Sequence, residues 1–90
     1  MANAYVVYKA QGEFSDYREE LLSVVLDPAK IAQEIKRQAE LLVEEEKPRA
    51  TEHRPITITE YNNGMKVMIG KMGWGPEEIY FYHKEVPLAE

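Results

Sequence analysis

The stretch that decides the fold is Asp27–Glu46, which reads DPAKIAQEIKRQAELLVEEE. Asp27 is a good N-cap, and Pro28 suits the first helical position because an N–H group there would be unpaired anyway. Apolar residues then recur at spacings of three and four, which places them on one side of a helix: Ile31, Ile35, Ala39 and Leu42. The opposite side is charged, and Pro48 bounds the pattern. The sequence therefore predicts a long amphipathic helix over about residues 28–46.

Strand-like segments flank this helix on both sides. Before it, residues 4–10 (AYVVYKA) are rich in Tyr and Val, which favours a strand. After it, three segments alternate between apolar and polar residues: 55–61 (PITITEY), 65–71 (MKVMIGK) and 78–86 (EIYFYHKEV). Asn-Gly at positions 63 and 64 predicts a tight hairpin turn between the first two of these, because both turn positions favour positive φ.

Residues 13–26 (EFSDYREELLSVVL) admit two interpretations. A cap at Ser15 or Asp16 would begin a short helix, whereas the apolar run at residues 22–26 would form a buried strand beside the first. Periodicity alone does not separate the two for so short a run. We favour the strand, because the following helix has its own clear beginning at Asp27.

The elements occur in the order strand, strand, helix, strand, strand, strand, within one domain of 90 residues. The economical arrangement is an α+β fold in which the single long helix packs across one face of an antiparallel sheet. The other sheet face would then be polar. It would carry tyrosines and lysines of the last three strands: Tyr61, Lys66, Tyr80, Tyr82 and Lys84.

Composition argues against several classes of protein. Cysteine is absent, which removes disulfides, thiolate nucleophiles and the usual structural zinc sites. The net charge of −5 argues against the basic footprint of a protein that binds duplex nucleic acid. No apolar run approaches ~18 residues and the first residues lack signal-peptide features, so we expect a cytoplasmic protein that contacts no membrane.

The sequence shows no catalytic or metal-binding motif. His53 and His83 lie in different predicted elements, and carboxylates would have to complete a zinc site without a recognisable spacing. Ser15 and Ser23 are the only serines, and neither lies in a nucleophile elbow. We therefore expect a non-enzymatic protein with no cofactor and no metal ion.

Residues 70–75 (GKMGWG) combine three glycines with the only tryptophan of the chain. A phosphate-binding loop is not expected, because the following segment alternates like a strand instead of opening a helix. Two interpretations remain. The loop is a hairpin connection in which Trp74 folds back over the edge of the core, or it is a recognition loop in which Trp74 and Met72 project towards a partner protein.

The segments YVVYKAQGEFSDY (residues 5–17) and SVVLDPAKIAQEI (residues 23–35) resemble a set of small, uncharacterised bacterial and phage proteins. Those proteins open with a Tyr/Val-rich strand, a Gly-Glu-Tyr/Phe-Ser-Asp-Tyr loop, a second strand and a helix. The specific part of the resemblance is residues 12–17 (GEFSDY), and the match stops near residue 40. It implies a strand over residues 20–26 and an origin in a mobile element, and it implies no activity.

Within this loop, Asp16 and Tyr17 admit a local and a functional interpretation. The Ser15 and Asp16 side chains can bond nearby backbone N–H groups and hold a turn. Alternatively, Asp16 and Tyr17 contact a ligand.

Three functions from different classes remain open. The leading hypothesis is a small acidic binding module with a protein partner, in particular a phage or mobile-element accessory protein that binds and modulates a host protein. Its candidate contact residues are Trp74, Met72, Tyr80, Tyr82, Asp16 and Tyr17. The alternatives are binding of single-stranded nucleic acid through the tyrosine-bearing sheet face, which the negative charge disfavours, and a small-molecule site or catalysis in a homo-oligomer. A homodimer would be able to bury the same tyrosines.

Overall fold

The computed structural model describes residues 3–12, 17–52, 54–70 and 76–87. Within these ranges, five strands and one α-helix follow one another in the predicted order: β1 (Asn3–Gln11), β2 (Arg18–Val25), α1 (Ile31–Glu46), β3 (Ile56–Tyr61), β4 (Gly64–Ile69) and β5 (Glu77–Pro87). Every strand pair is antiparallel, and the order across the sheet is β2-β1-β5-β4-β3. The predicted α+β fold, an antiparallel sheet with one long helix across one face, is confirmed.

The helix begins where the sequence predicts. The Asp27 side chain accepts a hydrogen bond from the Ala29 N–H at 3.0 Å, and Pro28 opens a short 3-10 turn that runs into α1. A second 3-10 turn, which contains Pro48, follows the last helical residue. The predicted range of 28–46 is therefore confirmed when the first turn is counted with the helix.

The helix packs on the sheet through its apolar stripe. Ile35 and Ala39 are buried at this contact, with exposed fractions of 1% and 0%. The sheet residues that complete the core come from the three inner strands: Val7, Val67, Ile69, Ile79 and Phe81. The small Ala39 side chain allows the helix and the sheet to approach closely. Each large side chain buried here contributes roughly 1.5–3 kcal/mol, so this layer is the main source of stability.

The segment before the helix forms a strand, as the favoured interpretation predicts, but the expected burial of residues 22–26 is wrong. β2 is an edge strand, so one side of its backbone has no neighbouring strand, and it ends at Val25 with Val24 and Leu26 exposed. β2 is longer than the predicted apolar run, since it begins at Arg18 and pairs with β1 along its length. Residues 18–22 (REELL) have a composition typical of a helix, but pairing with β1 makes them a strand. One of the cross-strand pairs between β1 and β2 is an ion pair between Lys9 and Glu20 at 3.3 Å. The register shifts by one residue at Leu22, a β-bulge that sends Leu22 to the core and leaves Leu21 on the other sheet face.

The predicted hairpin joins β3 and β4, but its turn lies one position earlier than the Asn-Gly pair predicts. Asn62 and Asn63 occupy the two loop positions with φ of 45° and 63°, the positive values that a type I′ turn needs. Gly64 is instead the first residue of β4 and is buried. A Cβ atom at Gly64 would overlap the carbonyl oxygen of Phe81, so the missing side chain permits the close approach of β5.

A two-bond ion pair between Arg37 and Glu34 lies on the surface of α1. Arg37 donates from Nε and Nη2 to the two carboxylate oxygens of Glu34, at 2.6 and 2.9 Å. The hydroxyl of Ser23 on β2 is buried and meets no described partner with hydrogen-bond geometry, yet it lies near enough to Glu34 to favour the charged carboxylate. Arg37 first, and then Ser23, lower the pKa of Glu34 to about 2.

We predict that Gly64→Ala lowers the free energy of unfolding by about 2–3 kcal/mol, because the added methyl group forces β4 away from β5. Urea denaturation followed by circular dichroism measures this change. Asn63→Gly is the control in the same turn, since glycine adopts positive φ without strain, and it should change stability by less than about 1 kcal/mol. A Gly64→Ala variant as stable as the wild type would contradict the close approach of the two strands.

We predict that Glu34→Gln destabilises the protein by about 1 kcal/mol at neutral pH and has little effect near pH 2. The pKa of Glu34 is lower in the folded protein than the ordinary value of 4.5, so its carboxylate stabilises the fold above that value. This contribution is lost as the pH falls towards 2. Urea denaturation at both pH values tests the prediction.

The control is Glu40→Gln, because the Glu40 carboxylate lies 4.0 Å from Lys36 in a longer, single contact. It should change stability by less than about 0.5 kcal/mol at either pH. An equal destabilisation by Glu34→Gln at both pH values would show that the charge of Glu34 contributes nothing.

Candidate functional site

The sheet face opposite α1 is the candidate functional site, and we call it the open face. Strand register assigns its residues, because directly paired residues of antiparallel strands project from the same side. Tyr8 pairs with Tyr82 and Lys66 pairs with Tyr80, and none of these four belongs to the core beneath α1. Among the described residues, the one α-helix lies on the other side of the sheet.

Two pairs of tyrosine rings lie on the open face. The rings of Tyr8 and Tyr82 are stacked, with centroids 5.8 Å apart and an interplanar angle of 23°. The rings of Tyr61 and Tyr80 are tilted by 54°, with centroids 5.2 Å apart. The Tyr80 hydroxyl also donates a hydrogen bond to Glu78 at 2.7 Å. These contacts hold the rings in defined orientations.

A lysine lies over each tyrosine pair. The Nζ atom of Lys84 is 4.9 Å from the centroid of the Tyr8 ring and 5.8 Å from that of Tyr82. The Nζ atom of Lys66 is 5.5 Å from the centroid of the Tyr61 ring. Cation–π contacts at such exposed sites contribute roughly 0.5–1 kcal/mol each.

Tyr17 joins this surface through Glu19. Its hydroxyl donates to Glu19 at 3.3 Å, and Lys84 pairs with both carboxylate oxygens of Glu19, also at 3.3 Å. Slight desolvation and then the Glu19 carboxylate raise the pKa of Tyr17, while Lys84 acts in the opposite direction. The chain of contacts connects the beginning of β2 with the stacked tyrosine pair.

Towards the β2 edge, the open face becomes aliphatic. Register with β1 places Leu21 and Val24 on this face, and Val86 projects from β5 on the other side of β1. Their exposed fractions are 55%, 55% and 40%. Apart from Tyr8, the β1 residues of the same face have shorter side chains and are buried between their neighbours: Ala4, Val6 and Ala10. On this part of the open face, large apolar side chains are therefore exposed to water on both sides of the buried residues of β1.

Charges on the open face are balanced. The charged residues that strand register places there are Lys66, Lys84, Glu19 and Glu78. Much of the acidic excess of the chain lies on α1, on the opposite side of the sheet: Glu34, Glu40, Glu44, Glu45 and Glu46. A partner at the open face would consequently meet a surface that is aromatic, aliphatic and close to neutral.

Three of the six predicted contact residues lie together on this face: Tyr17, Tyr80 and Tyr82. Asp16, Met72 and Trp74 lie outside the described residues, so their roles stay predictions. The strands on either side of the glycine-rich loop, β4 and β5, are antiparallel neighbours. The loop therefore joins the two strands of a hairpin, and whether Trp74 contacts the core or a partner remains a prediction.

Sequence analysis missed several residues of the open face: Tyr8, Glu19, Leu21, Val24 and Val86. The alternation of β5 would have identified Val86, which shares the parity of Tyr80 and Tyr82. No comparable signal marks Leu21 and Val24, because the bulge at Leu22 reverses the alternation between them.

Two shallow clefts among the described residues border α1 on the helix side. A cleft of about 520 Å³ separates the first turns of α1 from the β3–β4 hairpin, and one of about 310 Å³ lies between α1 and β3. Across the described part of the chain, no three His, Asp or Glu side chains lie close enough to hold a metal ion. The helix that the structure describes is not long and apolar enough to cross a membrane.

Comparison of the chain with protein-family models, curated proteins and solved structures gave no significant match.

Proposed function

We propose that this chain is a small, non-enzymatic binding module of the cytoplasm that contacts a partner protein through the open face. The observation that supports this proposal is the contrast between the two sheet faces. α1 seals one face, whereas the other presents ordered tyrosine pairs next to exposed Leu21, Val24 and Val86. Tyrosine is enriched in protein interfaces and at their energetic hot spots, and contiguous exposed apolar area is typical of contact surfaces.

Charge favours a protein over a nucleic acid as the partner. Exposed tyrosine rings can stack on bases, but the phosphate backbone requires cations that are available to bind it. Lys84 is already paired with Glu19, and Glu78 adds negative charge to the same face. The net charge of −5 further weakens the attraction to a polyanion.

The resemblance of the first part of the chain to bacterial and phage proteins supports a narrower form of the proposal. In this form, the protein is an accessory protein of a mobile element and its partner is a host protein whose activity it modulates. Trp74 and Met72, on the loop between β4 and β5, would extend the contact surface beyond the strands.

We predict that Tyr8→Ala and Tyr82→Ala each reduce capture of a specific partner protein about tenfold or more, as truncation of an interface hot spot does. The tagged protein is used to capture partners from an extract of its source organism, treated with nuclease and quantified by mass spectrometry. Tyr5→Ala is the matched control, because Tyr5 lies on the same strand as Tyr8 but projects from the helix side. Melting temperatures show whether the variants remain folded.

Equal capture by the wild type and both open-face variants would contradict the proposal, as would an equal loss caused by Tyr5→Ala. Binding of oligonucleotides would instead assign the open face to the alternative function, which is binding of single-stranded nucleic acid. If the purified protein binds labelled single-stranded oligonucleotides at low salt, and Tyr82→Ala abolishes this binding, the open face is a nucleic-acid site instead.

A further inference from the structure

We propose that two copies of the chain associate through the outer edge of β3, in an antiparallel register centred on Ile58, so that their sheets join into one. This inference goes beyond the proposed function and does not depend on it, since β3 lies at the far edge of the sheet from β2.

The two edge strands of the sheet are protected differently. The first half of β2 is charged, with Arg18, Glu19 and Glu20 in succession, and the bulge at Leu22 interrupts its alternation. Both features discourage pairing with a further strand. β3 reads ITITEY, with no lysine, no internal proline and no bulge in its pairing with β4, and five of its six residues are exposed. β3 is therefore the edge that is open to further pairing.

The hydrogen-bonding pattern between β3 and β4 shows which backbone groups of β3 point away from the sheet. The Gly70 N–H donates to the Pro55 carbonyl at 2.9 Å, so position 55 bonds towards β4. Bonded positions alternate along an antiparallel strand, which directs the N–H and C=O groups of Ile56, Ile58 and Glu60 away from the sheet. No described strand pairs with these groups.

A second copy of β3 satisfies these groups in one register. When Ile58 lies opposite the same residue of the second copy, Ile56 of each copy lies opposite Glu60 of the other. These three residue pairs each exchange two backbone hydrogen bonds, about six in all. On the open-face side, Thr57 then lies opposite Thr59, a β-branched pair that stabilises antiparallel sheets. No like charges face each other in this register.

The orientation of α1 follows from its neighbours on β3 and the hairpin. Ala32 and Lys36 lie beside Tyr61, at the end of β3, whereas Leu41 lies beside Ile58, in its middle. The helix and β3 therefore run in opposite directions. A two-fold axis through the paired strands would place the two helices antiparallel to each other, on the same side of the joined sheet.

The surface between α1 and β3 is complementary to itself under this axis. Leu41 and Ile58 are 52% and 37% exposed there, and Arg37 and Glu44 lie on the helix towards either end of the cleft. In the antiparallel arrangement, the exposed apolar side chains of the two copies meet near the axis. Arg37, which pairs with Glu34 of its own chain, lies towards Glu44 of the other copy. A second copy of the chain thus satisfies the outward backbone groups of β3 and covers the exposed apolar side chains beside them.

Association in this way would extend the sheet from five strands in each copy to ten. Both open faces would lie on the same side of the joined sheet. A partner with two binding sites would then be held by both copies at once, which raises its apparent affinity without any new contact.

Analytical ultracentrifugation of the purified chain, from micromolar to submillimolar concentration, tests the proposal. We predict that the average mass rises towards twice the 10.4 kDa of one chain. Ile58→Lys and Ile58→Glu should each abolish this rise, because either substitution places like charges opposite each other at the axis. An equal mixture of the two variants should restore association at low salt, since opposite charges then face each other.

Val24→Lys is the matched control, because Val24 is an exposed apolar residue on the other edge strand, and it should associate like the wild type. Circular dichroism verifies that each variant is folded. A wild-type chain that stays monomeric would overturn the proposal, as would association that Ile58→Lys leaves unchanged. A mixture of the two Ile58 variants that stays monomeric would overturn the register centred on Ile58.

Discussion

The contact between α1 and the sheet is the constraint on which the rest of the structure depends. Ile35 and Ala39 lie fully buried against the inner strands, and this layer contains the core residues with the least exposure. Among the described residues, one helix of 16 residues covers one face of the five-stranded sheet and none covers the other, so these residues have to keep the other face stable in water without a second layer. The sequence meets this requirement with small buried residues on β1 and with tyrosine rings that contact one another.

The same arrangement suits the open face for binding. Rings held by stacking, by Lys84 and Lys66 above them and by the Tyr80 hydrogen bond are already ordered, so a partner would lose less conformational entropy in fixing them. The exposed aliphatic residues near β2 supply apolar area that association would remove from water. A polar, hydrated sheet face would offer neither advantage.

Local signals in the sequence predicted most of the fold. The Asp27-Pro28 cap and the apolar stripe fixed the helix, and the alternation of β5 separated Tyr80 and Tyr82 from the core. Other features depend on contacts between distant residues. The bulge at Leu22 arises from pairing with β1, and the role of Gly64 arises from the position of β5. The sequence also did not show on which sheet face Tyr8 lies. Val6 and Val7 are both apolar, so they do not indicate which side of β1 faces the helix.

The central claim is that the free protein has one covered and one open sheet face. NMR relaxation measured with a soluble paramagnetic probe tests it most directly, because the probe accelerates the relaxation of protons that it can approach. We predict strong enhancement for the ring protons of Tyr8 and Tyr82, and little for the methyl groups of Val7 and Ile35. Equal protection of the two sets of protons would contradict the claim.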